Sequence, residues 1–244
     1  DFKDIKFNVG VRVDRFDANQ KAMKDPYSLY QTRTAGEVNI PNKPSNIGDN
    51  FVVYVADASD PANSEVIGYR DGDVWYDANG GIVTDPGVLA KLTTTGQIAP
   101  YLANPEDDIQ LTNFNVNTSF KDYEPQITVM PRIAFSFPIS DQALFFAHYD
   151  ILTQRPTGNL QTLPGQYYNF GQGTLNNSNL KPSKTIDYEL GFKQSLSRSS
   201  AISISAFYRE MRDMIQLVRV NYAYPVSYTT YGNRDFGTVK GLSL

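Results

Sequence analysis

The chain has no cysteine and a single histidine, His148. The first absence excludes disulfide frameworks, cysteine-ligated zinc and thiol nucleophiles. The second leaves little room for a His-rich metal site or a Ser-His-Asp triad. Long hydrophobic runs are missing too. The longest, Phe51 to Ala56, is six residues, against the roughly 18 that a membrane-crossing helix needs, so any membrane-spanning structure must be built from strands. A basic excess is also absent: 22 Lys and Arg stand against 26 Asp and Glu, a net charge of −4. That disfavours a nucleic-acid partner. No charged segment followed by an apolar run opens the sequence, which therefore reads as a mature protein or a piece of one.

What is abundant is aromatic. The chain has 16 Tyr, 14 Phe and 1 Trp, 13% of its residues, and these side chains suit pleated, half-buried surfaces and polar–apolar boundaries. The reading is all-β. Six segments alternate with the period of two that sends successive side chains to opposite faces of a strand. Phe7, Val9, Val11 and Val13 face one way, with Asn8, Gly10, Arg12 and Asp14 opposite. The others are Ile127–Ile139, Ala143 to about Leu152, Ile186–Lys193, Ile202–Arg209 and about Tyr228 to Leu244. Pro131 and Pro138 interrupt the second, and since proline cannot donate to a ladder they suggest a bulge or a strand end.

The connections alternate in length. Only a few residues, around Ser140-Asp141-Gln142 and Ser197-Arg198-Ser199, join strands two to three and four to five. About 110, 30 and 15 residues form the other three connections. Tight turns at one end and long loops at the other are the plan of a transmembrane antiparallel β-barrel. On this reading the aliphatic and aromatic face meets lipid and the polar face lines a lumen. A soluble β-sandwich would account for the alternation but not for the segregation of loop length by end. From Arg15 to Glu124 there are 8 basic and 16 acidic residues, against 14 and 10 elsewhere, so the insertion is an acidic, water-facing unit. Within it, Val74–Val83 reads as a hairpin turning at Asn79-Gly80. Asp85–Leu92 reads as a short helix with Asp85 as N-cap and Pro86 at its first position. Positions 1–14 are thus taken as a barrel strand, 15–125 as a large folded extracellular loop, and 126–244 as barrel strands with short periplasmic turns and long extracellular loops.

Several motifs carry a family resemblance. Gly10-Val11-Arg12-Val13-Asp14, Met130–Phe135, Ala147-His148-Tyr149 leading to Gln154-Arg155-Pro156, and Asn179–Gly191 with Leu180-Lys181-Pro182 and Tyr188-Glu189-Leu190-Gly191 occur in that order. A turn and then Ala206-Phe207-Tyr208 follow, and later Tyr231-Gly232-Asn233. Together they resemble the C-terminal half of the barrel of TonB-dependent outer-membrane receptors, and Gly68–Asp77 looks like the loops of the Bacteroidetes receptors of this group. The resemblance implies a barrel of 22 strands around an N-terminal plug preceded by a TonB box. This chain offers six strands, no plug and no box, and it ends at Leu244 rather than on an aromatic. It is therefore expected to be an internal piece of a longer receptor. A Glu is usual in that family where Ser243 stands here.

Arg12, Asp14, Arg132, His148, Asp150, Asp187, Glu189, Lys193 and Arg209 are the candidates for the lumen face, either as contacts on a permeation path or plug, or as the ion pairs that a polar interior requires. Asp71, Asp73 and Asp77 carry oxygen ligands of the kind calcium prefers, but their spacing does not fit an EF-hand, and a solvated hairpin is the plainer reading. Trp75, Tyr76, Tyr167, Tyr168, Phe170, Tyr222 and Tyr224 are candidate loop contacts to a ligand or partner; the loop tyrosines could equally form an aromatic girdle. No enzyme constellation is present, and no metal or cofactor is expected. The resemblance implies import of a nutrient, whether glycan, peptide or metal chelate, across the outer membrane. The implied partners are outer-membrane lipid, TonB–ExbB–ExbD reached through the N-terminal part, and a surface lipoprotein lid or other outer-membrane proteins. The rival reading is a receptor-like barrel serving as a structural subunit of a larger outer-membrane assembly.

Overall fold

The computed structural model describes residues 5–157 and 164–244. Its strands, in chain order, are β1 (Lys6–Phe16), β2 (Lys21–Met23), β3 (Val52–Val55), β4 (Val66–Asp71), β5 (Val74–Asp77), β6 (Ile82–Val83), β7 (Ala99–Pro100), β8 (Phe120–Asp122), β9 (Gln126–Ser140), β10 (Ala143–Gln154), β11 (Thr174–Leu175), β12 (Ser183–Ser197), β13 (Ser200–Val220) and β14 (Tyr228–Ser243). Among the described residues three short α-helices accompany them, α1 (Gly87–Ala90), α2 (Val116–Ser119) and α3 (Pro164–Tyr168), with a 3-10 turn at Pro61–Asn63.

The main sheet runs β1-β9-β10-β12-β13-β14, with the short β11 added in parallel to β14. Its six long strands are the six read from alternation. Each pairs antiparallel with its neighbour along the chain once the insertion between β1 and β9 is set aside. The reason is in the register. Phe7, Phe135, Ala147, Leu190, Ala206 and Leu242 are successive cross-strand partners, so one apolar row crosses the whole sheet. The neighbouring row on the same face is Val9, Ile133, Tyr149, Tyr188 and Tyr208. Its tyrosines stack, with ring centroids 5.0 Å apart for Tyr149 and Tyr188 and 6.1 Å for Tyr188 and Tyr208. Much of this face is open: Phe7, Val9, Val11, Val13, Ile127 and Leu242 are all more than 60% exposed. Apolar area of that kind costs about 25 cal/mol per Å² in water and requires a non-aqueous neighbour.

The prolines are accommodated without ending β9. Ala143 pairs with Ser140 but Leu144 with Pro138, which leaves Ile139 as the extra residue of a bulge beside Pro138. Pro131 faces Val11 in an unbroken register with β1, while the ladder to β10 ends one residue earlier, at Arg132 and Asp150. The third long connection is shorter than the sequence suggests. β13 continues from Arg212 to Val220 past a bulge at Asp213, whose φ is 55°, so β13 and β14 form a tall hairpin joined by residues 221–227.

The insertion, residues 17–125, has its own five-stranded sheet, β6-β5-β4-β3-β7, and a two-stranded pair, β2-β8, at its base. Both faces of the five-stranded sheet are covered. Val53, Val55 and Tyr69 pack with Ala35 and Ile47 on one side, and Tyr54, Ile67, Trp75, Leu89 and Ile98 on the other. The hairpin turns at Gly80, φ 83°, where Asp77 and Gly81 close the loop. The helix is only the single turn α1; Asp85 does accept the Gly87 N–H, at 2.9 Å.

Candidate functional site

Two regions hold the chemistry-bearing side chains: the polar face of the main sheet, and the place where its three long connections meet.

On the polar face, β9, β10, β12 and β13 place Arg132, Asp150, Asp187 and Arg209 in one rung. Like charges directly opposite repel, and Asp150 and Asp187 are direct partners. Each is relieved from its outer side: Arg132 Nε donates to Asp150 Oδ1 at 2.6 Å, and Arg209 donates to Asp187 Oδ2 at 2.5 Å. In the next rung toward the short turns, His148 Nδ1 lies 3.5 Å from Glu189 Oε2. One rung further, Gly191 lies beneath Phe146, where a Cβ would fall 2.3 Å from the ring, and the Lys193 ammonium is 5.4 Å from that ring's centroid. Asp14 receives both Nε and an Nη of Arg155, at 3.2 and 2.5 Å, which ties β1 to the chain leaving β10. Arg12 occupies the same face of β1, two residues from Asp14.

At the other region, the three long connections share one core. Leu29 and Phe120 of the insertion, Tyr167 and Leu175 of the second connection, Ala223 of the third and Tyr228 at the start of β14 are buried together. Backbone hydrogen bonds run from Leu29 N to Tyr224 O and from Tyr224 N to Tyr27 O, both at 2.9 Å. Tyr228 Oη donates to Pro26 O at 2.8 Å, Tyr222 Oη to Asp85 Oδ1 at 2.9 Å, and Tyr123 Oη to Leu180 O at 3.1 Å. Arg234 of β14 reaches Asp73 at 2.7 Å. The loops therefore form one interlocked cap rather than three independent excursions.

Inside the cap, Arg70 is 4% exposed. A buried guanidinium must have its donors used and its charge matched. Nε donates to Tyr54 Oη at 2.9 Å, one Nη to Gly72 O at 2.8 Å, and the other Nη to Asp25 Oδ2. The guanidinium carbon also lies 4.5 Å from the Tyr27 ring centroid and 5.7 Å from that of Trp75. Burial pushes the Tyr27 and Tyr54 phenols above their ordinary values. The hydrogen bond from Arg234 lowers Asp73, helped by a second from Tyr27 Oη at 3.0 Å.

The loop aromatics singled out in the sequence divide. Trp75 and Tyr167 are buried, at 4% and 6% exposure. They are core residues and not ligand platforms, because Trp75 packs between Tyr54 and Tyr27, and Tyr167 against Phe120. Tyr76 stacks on Phe51, and Phe170 on Tyr228. Tyr222 and Tyr224 serve in loop-to-loop bonding. Tyr168, half exposed, borders an open apolar groove of about 570 Å³ with Leu111, Phe114 and Val116. The acidic trio is dispersed. Asp73 is held by Tyr27 and Arg234, Asp77 closes its own turn through the Asn79 and Gly81 N–H groups, and Asp71 pairs with Val74. Among the described residues no three His, Cys, Asp or Glu side chains gather to hold a metal.

Sequence reasoning missed Arg70, Asp25, Arg155 and Arg234. For Arg70 a signal existed: the two-residue turn Gly72-Asp73 puts it opposite Trp75, whose ring its guanidinium then meets.

The profile of a family described as TonB dependent receptor-like, beta-barrel matches residues 1–244. No curated protein matches the chain. Among solved structures, a double mutant of the Serratia marcescens hemophore receptor HasR, in complex with its hemophore HasA and heme, is similar at 15% identity and a TM-score of 0.37. That match covers 51% of this chain and 20% of the HasR chain, and at this depth it carries no functional information. The family is one of outer-membrane proteins, and a six-stranded meander with an apolar and a polar face is a section of its barrel wall. The chain belongs to the TonB-dependent receptor-like β-barrel family.

Proposed function

We propose that this chain forms part of the wall and extracellular cap of a receptor that imports a nutrient across the outer membrane. Coupling to TonB–ExbB–ExbD would run through the N-terminal part of the receptor. The observation that carries the membrane placement is the upper edge of the apolar face. On β14 the last apolar residue before Lys240 is Leu242; on β13 it is Tyr208, before Glu210; on β12 it is Ile186, before Lys184; on β1 it is Val13, before Arg15. Counted in rungs, the edge rises from β14 through β13 to β12, stays level at β10, where Ile151 pairs with Ile186, and is highest on β9, where Ile127 pairs with Arg15, two residues above Val13 of β1. From β14 to β1 the climb is six residues, about 20 Å of strand, over five interstrand spacings, about 24 Å. The angle is about 40°, the tilt of strands in outer-membrane barrels. A horizontal lipid boundary crossing tilted strands produces this staircase; a soluble sandwich has no cause for one. Phe236 stands above the edge on β14 as a single exposed aromatic.

With lipid on the apolar face, the Arg132–Asp150–Asp187–Arg209 rung lines the lumen, and the cap closes the extracellular end. The test is growth of a deletion strain on a panel of peptides, glycans and iron chelates as sole sources. Loss of growth on one of them, reproduced by depleting TonB, supports import. Unimpaired growth on all, with the receptor copurifying stably with other barrels, would establish the structural-subunit reading instead.

A further inference from the structure

On β12, β13 and β14 the apolar face ends in charges mostly of one sign. The first residues above its edge are Lys184, Glu210 and Lys240, with Arg212 next on β13. The register is unbroken from Lys184 to Leu190 and from Arg212 to Ala206, and Lys240 pairs with Tyr208 as Leu242 pairs with Ala206. All four side chains therefore leave from the apolar face. Lys184 and Arg212 are direct cross-strand partners, and like charges so placed repel. On the polar face the opposed Asp150 and Asp187 are each relieved by an arginine of their own. Here the relief is one-sided. Arg212 donates to Glu210 Oε1 through Nε at 2.6 Å and Nη at 2.5 Å, while among the described residues no carboxylate forms an ion pair with Lys184 or Lys240. Three cations thus stand against one carboxylate, in a chain whose net charge is −4.

We infer that this row binds the phosphate of a net-anionic lipid in the outer leaflet, with the acyl chains lying on the apolar surface beneath; the inference rests on the membrane placement proposed above. Between β12 and β14 the edge drops two residues from each strand to the next, so Lys184, Glu210 and Lys240 stand at one height above the bilayer core. Lysine and arginine at such a boundary lay their stems along apolar surface and extend their charge to headgroup level, where cations attract anionic lipid. The Cβ atoms of directly opposed residues are about 5 Å apart, so the Lys184 and Arg212 heads can reach one phosphate together. A zwitterionic headgroup brings its own ammonium, which cancels the attraction. Free phosphate meets the same charges in water and nothing else. A lipid is also held by its chains, for which Tyr188, Leu190, Ile204 and Leu242, all more than 40% exposed, offer a surface directly below. The other end of the edge has no such row: on β1 Arg15 is paired with Asp17 at 3.0 Å, and β10 presents Thr153.

The test uses the full-length receptor in detergent, titrated with dioleoyl phosphatidic acid or dioleoyl phosphatidylcholine, with bound lipid counted by native mass spectrometry. The wild type should retain phosphatidic acid in preference to phosphatidylcholine, and excess inorganic phosphate at matched ionic strength should not displace it. Lys184→Gln and Lys240→Gln, which break no ion pair, should each weaken phosphatidic acid binding about fivefold. Lys184→Arg should retain it, and Lys91→Gln in the insertion should leave it unchanged. Equal retention of the two lipids, undiminished binding by the Lys184→Gln and Lys240→Gln double variant, or displacement by inorganic phosphate would each overturn the lipid site. A nitroxide at Leu190 in the bilayer-reconstituted receptor separates this result from the membrane placement. Collision favouring oxygen, with no selectivity between the lipids, removes the lipid site alone; collision favouring a polar nickel chelate removes the placement and the site with it.

Discussion

Arg234 on β14 and Asp73 in the insertion form an ion pair at 2.7 Å although 161 residues separate them. With Tyr222 and Asp85 it joins the tall hairpin to the insertion by two contacts near solvent. Both carboxylates are lowered from their ordinary value, Asp73 by the Arg234 hydrogen bond and Asp85 by the Gly87 N–H and then Tyr222 Oη. A lowered carboxylate stabilises the folded arrangement above the unfolded value near 3.8 and loses that contribution as pH falls through the folded value. Docking should therefore be constant from about pH 9 to 5 and loosen only below about pH 4. Spin labels at Val88 and Arg219, read by pulsed dipolar spectroscopy, check this. An increase in distance between pH 7 and 5 would contradict it.

The Arg70–Asp25 pair is a different matter, since Arg70 is buried. Asp25→Ala leaves a charge without its counterion and should destabilise the insertion by about 3–5 kcal/mol. Limited proteolysis should then cut within residues 17–125 while the main sheet stays protected. Arg234→Ala removes only an exposed pair, worth at most about 1 kcal/mol, and should leave that pattern unchanged.

On the polar face, Arg132→Ala removes one of two cations flanking adjacent carboxylates. Arg132 is largely exposed on its own side, so the loss should be at most about 1 kcal/mol in urea unfolding from vesicles. Adding Asp150→Asn removes the repulsion with Asp187 and should recover most of it. Greater destabilisation in the double variant would show that the rung is not organised around paired charges.

Gly191→Ala should cost about 1–3 kcal/mol by forcing the Phe146 ring off the sheet. The same substitution with Phe146→Leu should cost less, because the contact that the new methyl would meet is gone. Folding yield in lipid vesicles reads both.

The main sheet was legible from the sequence because each strand has two environments, and a period of two survives any loop placed between strands. Where both environments are similar, the signal fades. From Met214 to Val220 one side of the hairpin packs beneath the cap and the bulge at Asp213 resets the phase, so the extension of β13 looked like a loop. Trp75 and Tyr167 carried the same ambiguity, since an aromatic in a long connection suits a core, a girdle or a ligand equally well. Only the partners brought from distant segments, Tyr27 for Trp75 and Phe120 for Tyr167, decide it. Asp25 and Arg70 are likewise 45 residues apart, and no local pattern announces their pairing.

In the proposed barrel, Phe145, Ala147 and Tyr149 of β10 face lipid while Phe146, His148 and Asp150 face a polar interior. The most direct measurement is a nitroxide scan of residues 144–150 in the full-length receptor reconstituted in bilayers, comparing collision with oxygen and with a polar nickel chelate. Accessibility should alternate with period two, with oxygen favoured at 145, 147 and 149. Flat profiles, or alternation in the opposite phase, would contradict it.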